Sequence, residues 1–564
     1  MTAIKKLLAY FTARQWSILL TTAAIVLWSC SLIQAKLNLG PYGLINSLPV
    51  SFFISLALLT LASAILWVSP QKHGRLLFLQ LFFLILSMWL TPLLIGGAGY
   101  SSTYALTVAD LSNSEYIMRT GHFVPELSQR LCWPGVFIFA ASLAKILGLG
   151  SFNTMIAVFP FLWQFIMLLP LYLIFRNTLG KARGNYHWAA LWVFYLSWAS
   201  AGGLHTQTLA NLFLMTLLAV FTSTSMLMDN INQFAPRLSN IILLAALTIT
   251  HLLTSLFAVG LAIALHAAKR ARVATLAIIG AVFITAWLIY VAAAFFKGYL
   301  AGFFDQLFRL DLFWHTDVIG HASGTPEHKI IVQVLILATV IFCLLGLSGF
   351  IAGYRQRTRN DITMIAIAVI AVLIGVLIGA NYGYELPYRI FILLILPIAY
   401  FATKLLKRRL TVVLMISVLL ILLPLRIVSQ YGNISMDYSS PSTIASWGFF
   451  HERTSGGGVV GSYPFGFIKN PAEYRVVSFH YDVFEYNSAL YEEIVNGSED
   501  GALADILQGY PHYYVLCQND HVFFESIYGD PAFVPKLKDR LEGSVTYNLL
   551  YRNPDVSIYV TDGD

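Results

Sequence analysis

Apolar runs organise the chain. From Trp16 to about Arg426 they recur between short polar segments, each roughly 17 to 25 residues long, enough to cross a hydrocarbon layer about 30 Å thick. They predict spanning helices at approximately 16–35, 48–69, 75–97, 152–176, 186–202, 204–226, 239–250, 252–268, 273–296, 330–352, 362–380, 387–406 and 410–428, thirteen in all. The first run is full length and lacks a small-residue cleavage site, so it reads as a spanning helix and not as a secretory leader. The run from Cys132 to about Leu149 is read as a helix lying in the outer interface. The stretch 239–268, basic at both flanks, is split at Thr250-His251 into two short helices.

Those two choices follow from charge, because Lys and Arg in short loops collect on the cytoplasmic side. The segments 1–15, 70–75, 176–185, 228–238, 269–272, 355–359 and 404–409 together hold nineteen bases, and the other short loops eight. The N-terminus is therefore expected inside and everything after about residue 430 outside. Up to residue 429 there are ten carboxylates: eight fall in loops on the outer side and two, Asp229 and Asp361, on the inner side. None is expected in the middle of a helix, which argues against an ion-driven pump with ionisable coupling groups at the midplane.

Beyond residue 430 the pattern changes. Residues 430–564 carry 18 acids against seven bases, a net of −11, although the whole chain is at +7. Short apolar runs such as YRVVSF, YYVLC and VSIYV, set among Gly, Pro and Asn, predict a small α/β module. The division expected is a pair of N-terminal helices (1–74), a membrane domain (75–429) with external loops 99–151 and 297–329, and a soluble extracytoplasmic domain (430–564). Two sequons, Asn433-Ile-Ser435 and Asn496-Gly-Ser498, suit an external location. The fold class expected is an all-α polytopic membrane domain followed by a small extracytoplasmic α/β domain.

Composition agrees with the pattern: 564 residues, 58% hydrophobic, 11% charged, mean hydropathy +0.71. The basic balance follows from topology, so no nucleic-acid partner is expected. The four cysteines form no disulfide framework; Cys30 and Cys343 fall within spans, and Cys132 and Cys517 read more readily as two free thiols than as a pair. There is no P-loop, dinucleotide glycine pattern, repeat or zinc spacing. No cofactor is evident and no metal ligands are assigned, although a divalent cation is compatible with the chain.

One polar stretch, TVADLSNSEYIMRTGHFVPELSQRLCWPG at 107–135, gathers Asp110, Glu115, Arg119, His122, Glu126 and Arg130 between apolar runs. It reads as a short helix ended by Gly121, then a step through Trp133-Pro134-Gly135 into the interfacial helix. This order resembles the membrane glycosyltransferases of the GT-C type, which include protein mannosyltransferases, aminoarabinose transferases and oligosaccharyltransferases. In that class the first long external loop opens with an acid, ends a helix in TGH or TGD and reaches a proline step into a surface helix. The segments SAGGLHTQTLANLF (200–213), TITHLLTSLF (248–257) and LPYRIF (386–391) are similar to further features of the class, and the resemblance covers roughly 75–429. The start of the C-terminal domain, YGNISMDYSSPSTIASWGFF, resembles domains that follow the membrane part in archaeal or other prokaryotic envelope glycosyltransferases. The acidic pair usual in the class is not adjacent here: Asp110 is followed by Leu111 and Ser112, with Glu115 five positions on.

The resemblance implies transfer of a sugar from a polyprenyl-phosphate donor to a protein, lipid or glycan acceptor at the bilayer surface. One carboxylate suffices as general base for such a transfer, because the phosphate is already a leaving group. Asp110 suits that role, with Glu115 as the alternate. Arg389 is the first candidate for the phosphate, since a guanidinium fork matches phosphate oxygens, with Lys297, His205 and His251 behind it; His122 and Arg119 are loop or acceptor contacts. Each has a structural reading beside the functional one. Asp110 could cap a helix, Glu115 could pair with Arg119, Arg389 could anchor a helix end to head groups, and His251 could hydrogen-bond a neighbouring helix. A polysaccharide polymerase or ligase, using loop 297–329 with His315 and His321, and a lipid or sugar transporter are the competing function classes.

Overall fold

The first helix among the described residues is capped by Thr12, whose hydroxyl accepts from the backbone N–H of Gln15 while the Gln15 amide oxygen accepts from the Thr12 N–H at 2.8 Å, a reciprocal cap that satisfies two helix-end donors. In the computed structural model, residues 12–95, 105–127, 129–149, 152–180, 184–198, 206–223, 234–269, 273–293, 295, 324–378, 385–438, 440–454, 459–462, 475–478 and 512–561 are described. Among the described residues the first three long helices are α1 (Ala13–Gln34), α2 (Val50–Trp67) and α3 (Gly74–Trp89). They are joined by a buried polar knot: the Gln80 amide donates to Ser17 and Thr21, 2.8 Å each, Ser63 donates to the Gln80 oxygen at 3.0 Å, and Ser17 donates to the Ala62 carbonyl at 2.8 Å. Because an unmatched amide in an apolar interior is costly, this full set of bonds fixes how the three helices pack.

The first polar stretch folds as α4 (Ala105–Thr120) and α5 (Gly135–Leu147). Then follow α6 (Asn153–Leu179), α7 (Tyr186–Leu196), α8 (Thr206–Phe221), α9 (Phe234–Thr250), α10 (Leu252–Ala267) and α11 (Ala274–Tyr290). The set closes with α12 (Pro326–Gly353), α13 (Arg359–Ile378), α14 (Glu385–Ala402) and α15 (Arg409–Tyr431). Every one of the thirteen expected spans is occupied by a helix. Seven helices among the described residues are long and apolar enough to cross a membrane; the other six expected spans are α3 and α7 to α11, of 11 to 17 residues. The protein is a multi-pass membrane protein. Its longest spans keep apolar faces exposed, as with Leu344, Leu347 and Ile351 of α12, whereas α7 is buried nearly all round.

Close helix contacts are made at glycine. A Cβ on Gly349 of α12 would overlap the Phe401 carbonyl, and one on Gly346 would come within 3.1 Å of Ile398 Cα, both on α14. At the far end of α14, Lys404, counted above among the bases of an inner loop, is instead buried. Its ammonium donates to Asp361 at 2.7 Å, the Tyr400 hydroxyl donates to the same carboxylate oxygen at 2.7 Å, and the Thr358 N–H caps the other at 2.6 Å. An inward lysine is tolerated there because its charge and its partner's hydrogen-bonding capacity are met together.

The C-terminal module is built on a five-stranded mixed sheet. Strands β1 (Val459–Ser462), β2 (Arg475–Ser478), β3 (Tyr513–Cys517), β4 (Tyr547–Arg552) and β5 (Val556–Thr561) lie in the order β2-β1-β3-β5-β4, with β1 parallel to β2 and β3 and the other pairs antiparallel. Central β3 is buried on both faces. Tyr513, Val515 and Cys517 pack with Trp447 and Phe450 of the helix Pro441–Arg453, while Tyr514 and Leu516 pack with Phe533, Leu537 and Leu541 of the helix Phe533–Gly543. A strand covered twice needs no polar alternation, which is why YYVLC reads as an unbroken apolar run. The membrane and C-terminal parts touch: the Thr325 N–H donates to the Ser526 carbonyl at 3.1 Å, and His328 Nδ1 lies 3.2 Å from Asn433 Oδ1. The amide of the first sequon is thus engaged inside the protein; Asn496 lies outside the described residues.

Candidate functional site

The helix break expected at Thr250-His251 is present, and it is a single residue wide. α9 ends at Thr250, α10 starts at Leu252, and His251 between them is extended and buried. Its ring is held from both sides. Nδ1 lies 2.8 Å from Thr254 Oγ1 and 3.3 Å from the Thr254 backbone nitrogen, and Nε2 lies 2.9 Å from Nη1 of Arg389. A guanidinium only donates, so Nε2 must present a lone pair. The Thr254 backbone N–H points at Nδ1 as in a helix N-cap, and the Thr254 hydroxyl lies beside the same nitrogen. Two side chains 138 positions apart are brought into contact, and both belong to the set expected to hold a donor phosphate. Arg389 sits in the first turns of α14, beside Phe391, which stacks on Trp198 with ring centroids 5.1 Å apart. The Trp198 indole donates to Thr339 at 2.9 Å. A guanidinium whose direction is fixed by an imidazole is suited to a planar or tetrahedral anion.

The first polar stretch is seated on this break. Cys132 offers its carbonyl to the Trp287 indole at 2.9 Å, Trp133 meets Phe295 edge-on with centroids 4.8 Å apart, and Gly135 lies directly on Thr250. α4 then packs back on α5 through Tyr116, Ile117, Leu131, Val136, Phe137 and Ala140. The opposite face of α5 exposes Ile138, Phe139, Ile146 and Leu147, an apolar surface that suits a helix lying in a membrane interface. α4 ends as expected at Gly121, with φ of 78°, and His122 folds back so that Nδ1 meets the Thr120 carbonyl at 3.1 Å.

Asp110 lies in the second turn of α4, which begins at Ala105 and is longer than the short helix expected. It is therefore not a helix cap. Glu115, one turn further along, is half-buried, and Arg119 and His122 are exposed. His205, Lys297, His315 and His321 lie outside the described residues. Missed from the sequence were Thr254, which holds the His251 ring at Nδ1 and stands at the N-cap spacing in HLLT, and Gly135, which the WPG step contained without revealing its neighbour. The lone Arg426 in an otherwise apolar run was also passed over; it is fully buried with its guanidinium 4.9 Å from the Trp89 ring.

Cys132 and Cys517 are buried free thiols. Burial pushes both up, aided at Cys132 by the charge of Glu126 and at Cys517 by Asp520 and Asp555, so neither is poised as a thiolate nucleophile. Among the described residues no three His, Cys, Asp or Glu side chains come together as a metal site.

No family model matches the sequence, and no curated protein matches it. Solved structures do. The oligosaccharyltransferase of Archaeoglobus fulgidus in its apo form aligns with a TM-score of 0.51 at 11% identity, over 87% of this chain and 75% of that one. The same archaeal enzyme in complex with an inhibitory peptide and a dolichol-phosphate gives 0.49 at 11% identity, over 86% and 74%. ArnT from Cupriavidus metallidurans bound to undecaprenyl phosphate gives 0.36 at 12% identity, over 86% and 97%. With its helices and its C-terminal sheet module in this order, the chain has the fold of the GT-C type membrane glycosyltransferases.

Proposed function

We propose that the protein is an inverting glycosyltransferase that moves a sugar from a polyprenyl-phosphate donor to a protein, lipid or glycan acceptor at the outer membrane face. The observation that carries the reading is the His251–Arg389 contact at a helix break on which the carboxylate-bearing loop is seated. The fold shared with an archaeal oligosaccharyltransferase supports it. The N-terminus lies in the cytoplasm and the C-terminal module outside, as the loop bases indicate.

In this reaction the acceptor X–H attacks the anomeric carbon as the bond from that carbon to the phosphate oxygen breaks. The proton passes to Asp110, or to Glu115 if that carboxylate is the one within reach, and the phosphate leaves with the bonding electron pair. Arg389, held by His251, donates to the phosphate oxygens as their charge grows. Lys297 and His205 are further donor contacts, and Arg119 and His122 face the acceptor. A divalent cation is compatible with this chemistry, and no step above is routed through one.

The test is mass spectrometry of envelope glycans and lipid-linked sugars from cells lacking the protein, complemented with wild type, Asp110→Asn, Glu115→Gln or Arg389→Ala. The expected result is loss of one glycan sugar with accumulation of its polyprenyl-phosphate donor, cured by wild type and not by Asp110→Asn. If both carboxylate variants restore the glycan fully, α4 is structural and the transferase mechanism fails.

A further inference from the structure

We infer that Gly135 and Thr250 form a seam through which the acceptor-side loop and the donor-side cation pair set each other's geometry. Gly135 is the first residue of α5, and a Cβ placed on it would overlap Thr250 Oγ1 and come within 2.9 Å of Thr250 Cα and 3.0 Å of Thr250 Cβ. Backbone atoms cannot step aside as a flexible side-chain tip can, so the glycine is there for space. Thr250 is itself held, its hydroxyl donating to the Ala246 carbonyl at 2.6 Å, and the next residue is His251, which meets Arg389.

The other two contacts of the step, Trp133 on Phe295 and Cys132 on Trp287, leave the start of α5 nowhere to slide. A displacement at Gly135 is therefore delivered to Thr250 and, one residue on, to the imidazole that orients Arg389. The converse also holds, since an energetic coupling between two sites is reciprocal. Occupation of Arg389 by a phosphate biases His251 and Thr250 and, through Gly135, the α5–α4 pair on which Asp110 rides. Gly135 and Thr250 are positioning residues. This inference rests on the donor-phosphate role proposed for Arg389.

The experiment measures binding of undecaprenyl phosphate to the full-length protein in lipid nanodiscs for wild type, Gly135→Ala, Thr250→Ala, the double variant and Arg389→Ala. A Cβ on Gly135 meets Thr250 whether or not the two sites are coupled, so without the seam Gly135→Ala changes the melting temperature and leaves binding alone. With the seam, Gly135→Ala weakens binding about tenfold, and the double variant, which removes the hydroxyl but leaves Thr250 Cα and Cβ in place, regains at most part of that factor. Hydrogen exchange adds a readout that simple destabilisation would not produce: undecaprenyl phosphate slows exchange in 105–120 for wild type and not for Gly135→Ala. Should Gly135→Ala be recovered unfolded, the double variant measured against Thr250→Ala carries the same outcomes.

Wild-type binding by Gly135→Ala overturns the seam. If Arg389→Ala binds undecaprenyl phosphate as wild type does, the donor-site reading itself fails. Loss of binding in Arg389→Ala together with an unaffected Gly135→Ala rejects the seam alone.

Discussion

At the scale of single residues, the decisive feature is a histidine held at both ring nitrogens by its neighbours. Thr254 meets Nδ1 with its hydroxyl and its backbone N–H, and Arg389 donates to Nε2, so the ring is held at both nitrogens and the guanidinium is aimed. His251→Phe keeps the ring volume and removes the acceptor. Loss of a hydrogen bond to a charged group costs about 1.5 to 3 kcal/mol, so undecaprenyl phosphate binding should weaken roughly tenfold or more while the protein still folds. Thr254→Val should shift binding in the same direction by less. Unchanged binding in both variants, measured in nanodiscs, would show that the ring does not direct Arg389. Arg389 and His251 were legible as candidates because polar residues in apolar runs are conspicuous; that they face one another was not, since they are far apart in the chain.

At the scale of elements, turns and caps follow the chain's own chemistry. Gly121 ends α4 in the left-handed region with open space around it. Gly121→Ala therefore carries only the backbone cost of that conformation, about 1 to 2 kcal/mol, seen as a lower melting temperature with transfer activity retained per folded molecule. In the C-terminal sheet, Leu537 is almost wholly buried against Phe533 and Leu541. Leu537→Ala should cost about 2 to 5 kcal/mol through lost contacts and a residual cavity, read by urea-dependent proteolysis of that module. An intact module at the same urea concentration as wild type would mean that the face is less tightly packed than the structure shows. The runs at 475–478, 513–517 and 556–561 were legible as strands from their β-branched and aromatic content, whereas their order in the sheet depends on contacts that no local pattern contains.

At the scale of the whole molecule, two features tie distant parts together. The buried Asp361–Lys404 pair joins the start of α13 to the end of α14. Breaking one side of a buried pair costs about 3 to 5 kcal/mol because a lone charge is left behind. Lys404→Met and Asp361→Asn should each reduce the yield of folded protein sharply, and the double variant should recover part of it by removing both charges. Thermal melts of the purified variants check this, and additive losses would show that the two groups act independently. Orientation is tested by labelling in a chain cleared of its four cysteines: Asp539→Cys should react with a membrane-impermeant maleimide on intact cells, and Arg14→Cys only after permeabilisation. The reverse pattern would move the proposed chemistry to the other face.

By itself the sequence determined that the chain crosses a membrane many times, where nearly every helix falls, that a helix pair breaks at His251 and that an α/β module follows. The reason is that span length, glycine termination and strand content are local properties of the chain, written in consecutive residues. Tertiary structure alone decided that Arg389 and His251 meet, that Gly135 rests on Thr250, that α4 carries Asp110 inside a helix, and that Lys404 turns inward to Asp361. Each of these is a pairing between segments whose partners are selected by shape and by the need to satisfy buried polar groups, and neither criterion can be evaluated until the helices are packed.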